Sequence, residues 1–177
     1  VTGVQTCALP IYLIHDPLRG QRRPVLINNW EATEFTFNAD KLVDIARSAA
    51  PLGLELFVMD DGWFGVRDTD MSGLGDWSVN EEKLPGGLEA LVPRIRALGM
   101  SFGIWVEPEM ISEDSQLYRE HPDWALGVPG RPRTRGRSQL TLDFSRKEVR
   151  EHIYQAIRKV LDSADISYVK WDMNRSL

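Results

Sequence analysis

Four short, nearly continuous apolar runs, each ending in acidic or amide residues, constrain this chain more than any other feature. They are Val25-Leu26-Ile27-Asn28-Asn29-Trp30, Leu54 to Asp61, Ser101 to Glu107, and Ile166-Ser167-Tyr168-Val169-Lys170-Trp171-Asp172. Runs of this kind suit strands covered on both faces, as in a parallel sheet. The segments between them carry a helical period. Leu42, Ile45, Ala46 and Ala49 share one face behind a cap at Asn38, and Leu88, Leu91, Val92, Ile95 and Leu98 repeat the pattern before Gly99. Val149, Ile153, Ala156, Ile157 and Val160 give a third helix, with Ser145 to Glu148 as its capping box. A shorter helix is expected within residues 113–120, and Leu140-Thr141-Leu142-Asp143 reads as a short extra strand. Strand and helix alternating along a chain imply a parallel α/β fold. Long loops after the second and third runs favour a TIM-type (β/α)8 barrel, whose function sits in such loops. The expectation is a partial barrel, roughly its first four β/α units, without the helix that should follow Asp172.

With 177 residues, 42% hydrophobic and 27% charged, the chain has the size and composition of one soluble globular domain. Its net charge of −5 comes from interspersed signs, which argues against nucleic acid or an anionic membrane as partner. No run approaches the roughly 18 apolar residues that span a bilayer. No secretory leader is visible, so a cytoplasmic location is expected. Residues 1–11, Val1-Thr2-Gly3-Val4-Gln5-Thr6-Cys7-Ala8-Leu9-Pro10-Ile11, read as the translation of a sequencing adapter and are set aside from the fold. Residues 12–24 then read as a linker from a missing N-terminal domain, and residues 25–177 as the truncated first half of a catalytic barrel. Cys7 is the sole cysteine, so the remaining sequence offers no disulfide or thiolate site.

The chemistry-bearing residues gather where the runs end: Asp60 and Asp61, Glu107 and Glu109, Asp143, and Asp172. In a barrel those ends share one face, the usual active-site face. Carboxylates beside aromatic rings suit sugar chemistry, in which one acid attacks the anomeric carbon and another donates a proton. Any single one of these acids reads better as a helix cap or a surface loop residue; four clusters in phase with four strands do not. Alternation puts Lys170, Asp172 and Asn174 on one face of the last strand and Trp171 and Met173 on the other. A lysine two residues from Asp172 would favour its ionised form. Most of Trp30, Trp63, Trp77, Trp105 and Trp171 read as core, with Trp30 and Trp105 set apart by their places near strand ends. The run from Arg131 to Arg137 reads as a solvated loop with one arginine turned inward. His15, His121 and His152 avoid the strand ends, which argues against a histidine metal site; an oxygen-only Mg²⁺ site stays open.

Five motifs in order then become recognisable: Met59 to Gly65, Gly75-Asp76-Trp77, Gly103 to Met110, Arg137 to Asp143, and Lys170 to Arg175. From about residue 20 onward they closely resemble glycoside hydrolase family 36, the bacterial-type α-galactosidases. The resemblance implies a retaining α-galactosidase acting on melibiose- or raffinose-type sugars. It makes Asp172 the nucleophile, and has Asp60 and Asp61 hold the sugar hydroxyls. It has Trp30 and Trp105 line the pocket, with Arg137, Lys170 and Asn174 hydrogen-bonding the ring substituents. It implies no cofactor and no metal, an α-galactoside as partner, and a homo-oligomer, a tetramer, for the full-length protein. The family's acid/base carboxylate falls beyond Leu177, so the fragment alone is expected to be inactive. Two alternatives stay open: a galactosyltransferase or raffinose-synthase-like relative, and a non-catalytic sugar-binding barrel.

Overall fold

The computed structural model describes residues 20–174. Residues 1–11 with Cys7, most of the expected linker, and Arg175 lie outside the described residues. Six strands run in chain order: β1 (Leu26–Asn28), β2 (Leu56–Met59), β3 (Ser101–Val106), β4 (Met110–Ser112), β5 (Gln139–Thr141) and β6 (Tyr168–Trp171). The first three and the last form one parallel sheet in the order β1-β2-β3-β6. All four expected runs are therefore neighbours in the order in which they occur. The helices are α1 (Trp30–Thr33), α2 (Ala39–Ala49), α3 (Gly87–Arg96), α4 (Gln116–Glu120) and α5 (Lys147–Asp162).

The sheet is amphipathic in an unusual sense, because its two faces serve different ends. Phe57, Met59, Phe102, Ile104 and Val106 point to the face covered by helices. There they meet Leu42, Val43 and Ala46 of α2, Leu88, Leu91 and Ile95 of α3, and Val149, Ile153 and Ile157 of α5. Burial of these side chains is worth about 1.5–3 kcal/mol each, the dominant favourable term in the fold. The opposite face carries a polar row. Trp105 pairs in register with Lys170, and Met59 with Ile104, so Asp60 falls level with Trp105 and Lys170. Just below, Gly103 faces Tyr168; a Cβ at Gly103 would sit 2.9 Å from the Tyr168 ring, so the ring needs the missing side chain.

Several local expectations change. The first run leaves the strand at Asn28, whose Oδ1 accepts the Trp30 backbone N–H at 2.8 Å and turns the chain into α1. Only β2 and β3 are covered on both faces; β1 and β6 are the sheet edges and stay partly open. Trp171, expected with the core tryptophans, is 56% exposed on edge strand β6. The Asn38 cap is present, accepting the Lys41 N–H at 2.9 Å. The capping box before α5 is not. Arg146 takes the cap position without a side-chain bond, and Ser145 Oγ donates to Asp143 at 2.6 Å. The weaker helix narrows to α4, capped by Ser115, whose Oγ accepts the Tyr118 N–H. Leu140-Thr141-Leu142-Asp143 contributes to β5, which pairs antiparallel with β4 outside the main sheet. No helix among the described residues is long and apolar enough to cross a membrane.

Candidate functional site

The C-terminal ends of the four parallel strands surround a small cavity of about 130 Å³, lined by Trp30, Asp60, Asp61, Trp105, Arg137, Lys170, Asp172 and Asn174. These are the eight residues that the sequence nominated, brought together from five separate stretches. Trp30 comes from α1, Asp60 and Asp61 follow β2, and Trp105 lies on β3. Arg137 tops the hairpin before β5, while Lys170, Asp172 and Asn174 share the inward face of β6 and its extension.

Asp60 is the most tightly held. Its Oδ2 accepts Lys170 Nζ at 2.7 Å and also the Asn28 side-chain amide. Its Oδ1 accepts the Asp61 N–H at 2.9 Å, and its own N–H donates to Asn29 Oδ1 at 2.8 Å. Asp61 is buried in a fork: Arg67 Nε donates to Oδ1 at 2.9 Å and Nη2 to Oδ2 at 2.7 Å. Burial pushes the Asp61 carboxyl above the usual aspartate range, and the Arg67 guanidinium pulls against that rise.

Asp172 has a different environment. Burial would raise its carboxyl, but three donors outweigh it and hold it below the ordinary value. Trp105 Nε1 donates to Oδ2 at 3.0 Å, Asn174 Nδ2 to the same oxygen at 2.8 Å, and the Met173 N–H to Oδ1 at 2.9 Å. Lys170 contributes through its charge only after these. Its ammonium is bonded to Asp60, so the lysine expected to ionise Asp172 mainly bridges β6 to β2. The result is an ionised carboxylate in one fixed orientation, which is what nucleophilic attack requires. The indole that orients it is itself anchored, since Trp63 Nε1 donates to the Trp105 carbonyl at 2.9 Å. Trp63, Phe64 and Trp77 pack behind it, with Phe64 stacked on Trp105 at 6.2 Å between centroids.

Arg137 reaches the rim on a strained turn. Arg137 and Ser138 both take positive φ, 50° and 59°, between Gly136 and Gln139, which exchange backbone hydrogen bonds. Its guanidinium stands 3.6 Å from the Asp70 carboxylate. Asp143, expected among the strand-end acids, sits elsewhere: it follows antiparallel β5 and serves the turn at Ser145. Glu109 accepts Trp171 Nε1 outside the cavity. Among the described residues, no group of three or more His, Cys, Asp or Glu side chains is placed to hold a metal ion.

The sequence profile of the Melibiase family matches residues 9–177. The chain belongs to the melibiase family. A curated melibiase relative, alpha-galactosidase AgaA of Geobacillus stearothermophilus, is 59% identical over 165 residues, 93% of this chain and 23% of that protein. The bifunctional alpha-galactosidase/sucrose kinase AgaSK of Mediterraneibacter gnavus is 60% identical over 156 residues, 88% of this chain and 17% of its own length. A crystal structure of a substituted GH36 AgaA in complex with stachyose superposes with a TM-score of 0.90 at 57% identity, covering 93% of this chain and 23% of that one. The melibiase chain thus spans about a quarter or less of the relatives it matches.

Around this melibiase site lie three residues that sequence reasoning did not nominate, and a fourth, Glu107, that it named only among the strand-end acids. Asn28 and Asn29 orient Asp60, Arg67 pins Asp61, and Glu107 accepts the Asn174 N–H at 2.6 Å. The two asparagines were visible at a strand end, the same signal that marked Asp60. Arg67 had no signal, because a loop arginine six residues from an acid has no period that says it folds inward.

Proposed function

We propose that the whole protein is a retaining α-galactosidase that hydrolyses terminal α-galactosyl residues of melibiose- or raffinose-type oligosaccharides. The parallel sheet with sequential strand order is then the first four β/α units of a (β/α)8 barrel, with the cavity at the catalytic mouth. The single observation that carries the reading is the Asp172 carboxylate, fixed by Trp105 and Asn174 inside a cavity whose opposite wall is the Asp60–Lys170 pair.

The chemistry follows from that placement. Asp172 attacks the anomeric carbon as the bond to the leaving-group oxygen breaks, giving a galactosyl ester. The leaving oxygen takes a proton from an acid beyond Leu177, which must lie about 5–5.5 Å from Asp172 in a retaining site. Water then attacks the anomeric carbon, giving its proton back to the same acid/base group, and the ester bond breaks to release galactose and the Asp172 carboxylate. Asp60 and Asp61 accept from the sugar hydroxyls with the lone pairs their protein partners leave, and Lys170, Asn174 and Arg137 donate. An epimer lacking the matching hydroxyl leaves these buried groups without a partner and is rejected. Support for the substrate class comes from the AgaA relative, whose complex holds stachyose.

In the full-length protein, Asp172→Ala abolishes hydrolysis of an aryl α-galactoside, and azide restores part of the turnover by replacing the carboxylate as nucleophile. Hydrolysis by this variant at the parent rate, without azide, overturns the assignment.

A further inference from the structure

Glu107 is fully buried at the end of β3, yet it is absent from the cavity wall. Its Oε1 accepts the Asn174 backbone N–H at 2.6 Å, across 67 residues of chain. Its Oε2 finds no partner among the described residues. A carboxyl that is buried and half-satisfied is a costly thing to keep, worth explaining by what it holds. What it holds is the backbone two residues beyond Asp172, at the point where β6 has ended and no ladder partner fixes the chain. The Asn174 side chain, so placed, donates to Asp172 Oδ2 at 2.8 Å.

We infer that Glu107 is a positioning residue for the nucleophile: by accepting the Asn174 N–H it sets the chain after Asp172, so that the Asn174 amide locks the attacking carboxylate. The inference rests on Asp172 being the nucleophile and adds a residue that acts through Asn174 rather than on the sugar. Glu107 is not the missing proton donor, because its bonded oxygen is committed to a backbone amide and neither oxygen reaches the cavity wall. Burial, with the charge of Asp172 nearby, pushes its carboxyl up, and a neutral carboxyl still accepts through its carbonyl oxygen.

The chemistry needed from Glu107 is therefore one acceptor in one place, which separates two variants of nearly the same size. Glu107→Gln keeps the acceptor; Glu107→Met removes it without opening a cavity or burying an unpaired polar group. The readout is the rate at which a mechanism-based 2-fluoro-galactosyl fluoride labels Asp172 in the full-length protein, with affinity for a competitive galactoside-like inhibitor and thermal midpoint measured alongside. The expected result is labelling by Glu107→Gln within about threefold of the parent. Glu107→Met slows about 10²-fold, the scale of a displacement of about 1 Å at the reacting atoms, while inhibitor affinity stays within about threefold. Labelling by Glu107→Met at the parent rate overturns the inference, and so does Glu107→Gln being as slow as Glu107→Met. If the parent itself takes no label at Asp172, the nucleophile reading fails and the inference falls with it, an outcome distinct from both.

Discussion

The Arg67–Asp61 pair offers the sharpest test of how the site is supported. Arg67 is 1% exposed, and Asp61 is buried beside it. Three of the guanidinium nitrogens are used: Nε and Nη2 on Asp61, and Nη1 on the Ser72 carbonyl at 2.7 Å. Arg67→Met keeps the length of the aliphatic stem but leaves the Asp61 carboxylate buried without its counter-charge. Breaking a buried pair from one side costs about 3–5 kcal/mol, far more than the pair's net worth. In the full-length protein that lowers the thermal midpoint by several degrees. The pH dependence has a definite sign. Burial already raises the folded Asp61 above its unfolded value, and removing Arg67 raises it further. The folded variant then keeps a proton that the unfolded chain releases, so its deficit grows as pH rises above about 4 and is greatest at neutral pH. Adding Asp61→Leu removes the orphaned charge, and the double variant recovers most of the stability but none of the activity. Differential scanning fluorimetry of full-length parent, single and double variants across pH reads all of this. A single variant within about 1 kcal/mol of the parent at neutral pH refutes the reasoning.

Two further outcomes follow from the same geometry. Trp105→Phe removes the indole N–H from Asp172 while keeping an aromatic face. The Asp172 carboxyl rises, and because activity needs it ionised, the acid limb of the kcat/KM profile moves to higher pH; an unmoved limb contradicts the orienting role. Ser138→Gly relieves a left-handed backbone at φ 59°. It should add about 1 kcal/mol and raise the midpoint by about 2–4 °C, while a lowered midpoint speaks against the strained turn.

The four parallel strands and the three long helices were legible because period-two and period-3.6 patterns act on whole segments, and burial enforces them. Lys170 and Asn174 were legible for the same reason, since alternation from Asp172 fixes their face. The reach of Lys170 was not. Which acid a lysine bonds depends on strand register, and only the level placement of Asp60 with Lys170 decides it. Ser145 misled for a related cause: its backbone N–H and hydroxyl both donate to Asp143, and the helix starts one residue later, with Arg146 at the cap. Arg67 stayed hidden because loop geometry alone turns it inward, and Glu107 was legible as a strand-end acid while its partner, 67 residues away beyond β6, was not.

The bond between Lys170 and Asp60 spans 110 positions of sequence. During synthesis the acid leaves the ribosome well ahead of its cation, at a few to twenty residues each second. Until β6 docks on β3, the Asp60 carboxylate, at the end of inner strand β2, has only the Asn28 amide and the Asp61 backbone N–H to hold its charge. Docking that strand therefore does two things in one event: it neutralises the oldest acid in the pocket and delivers Asp172 opposite it. The pocket has no half-built state in which Asp172 is present and its facing wall is still uncompensated.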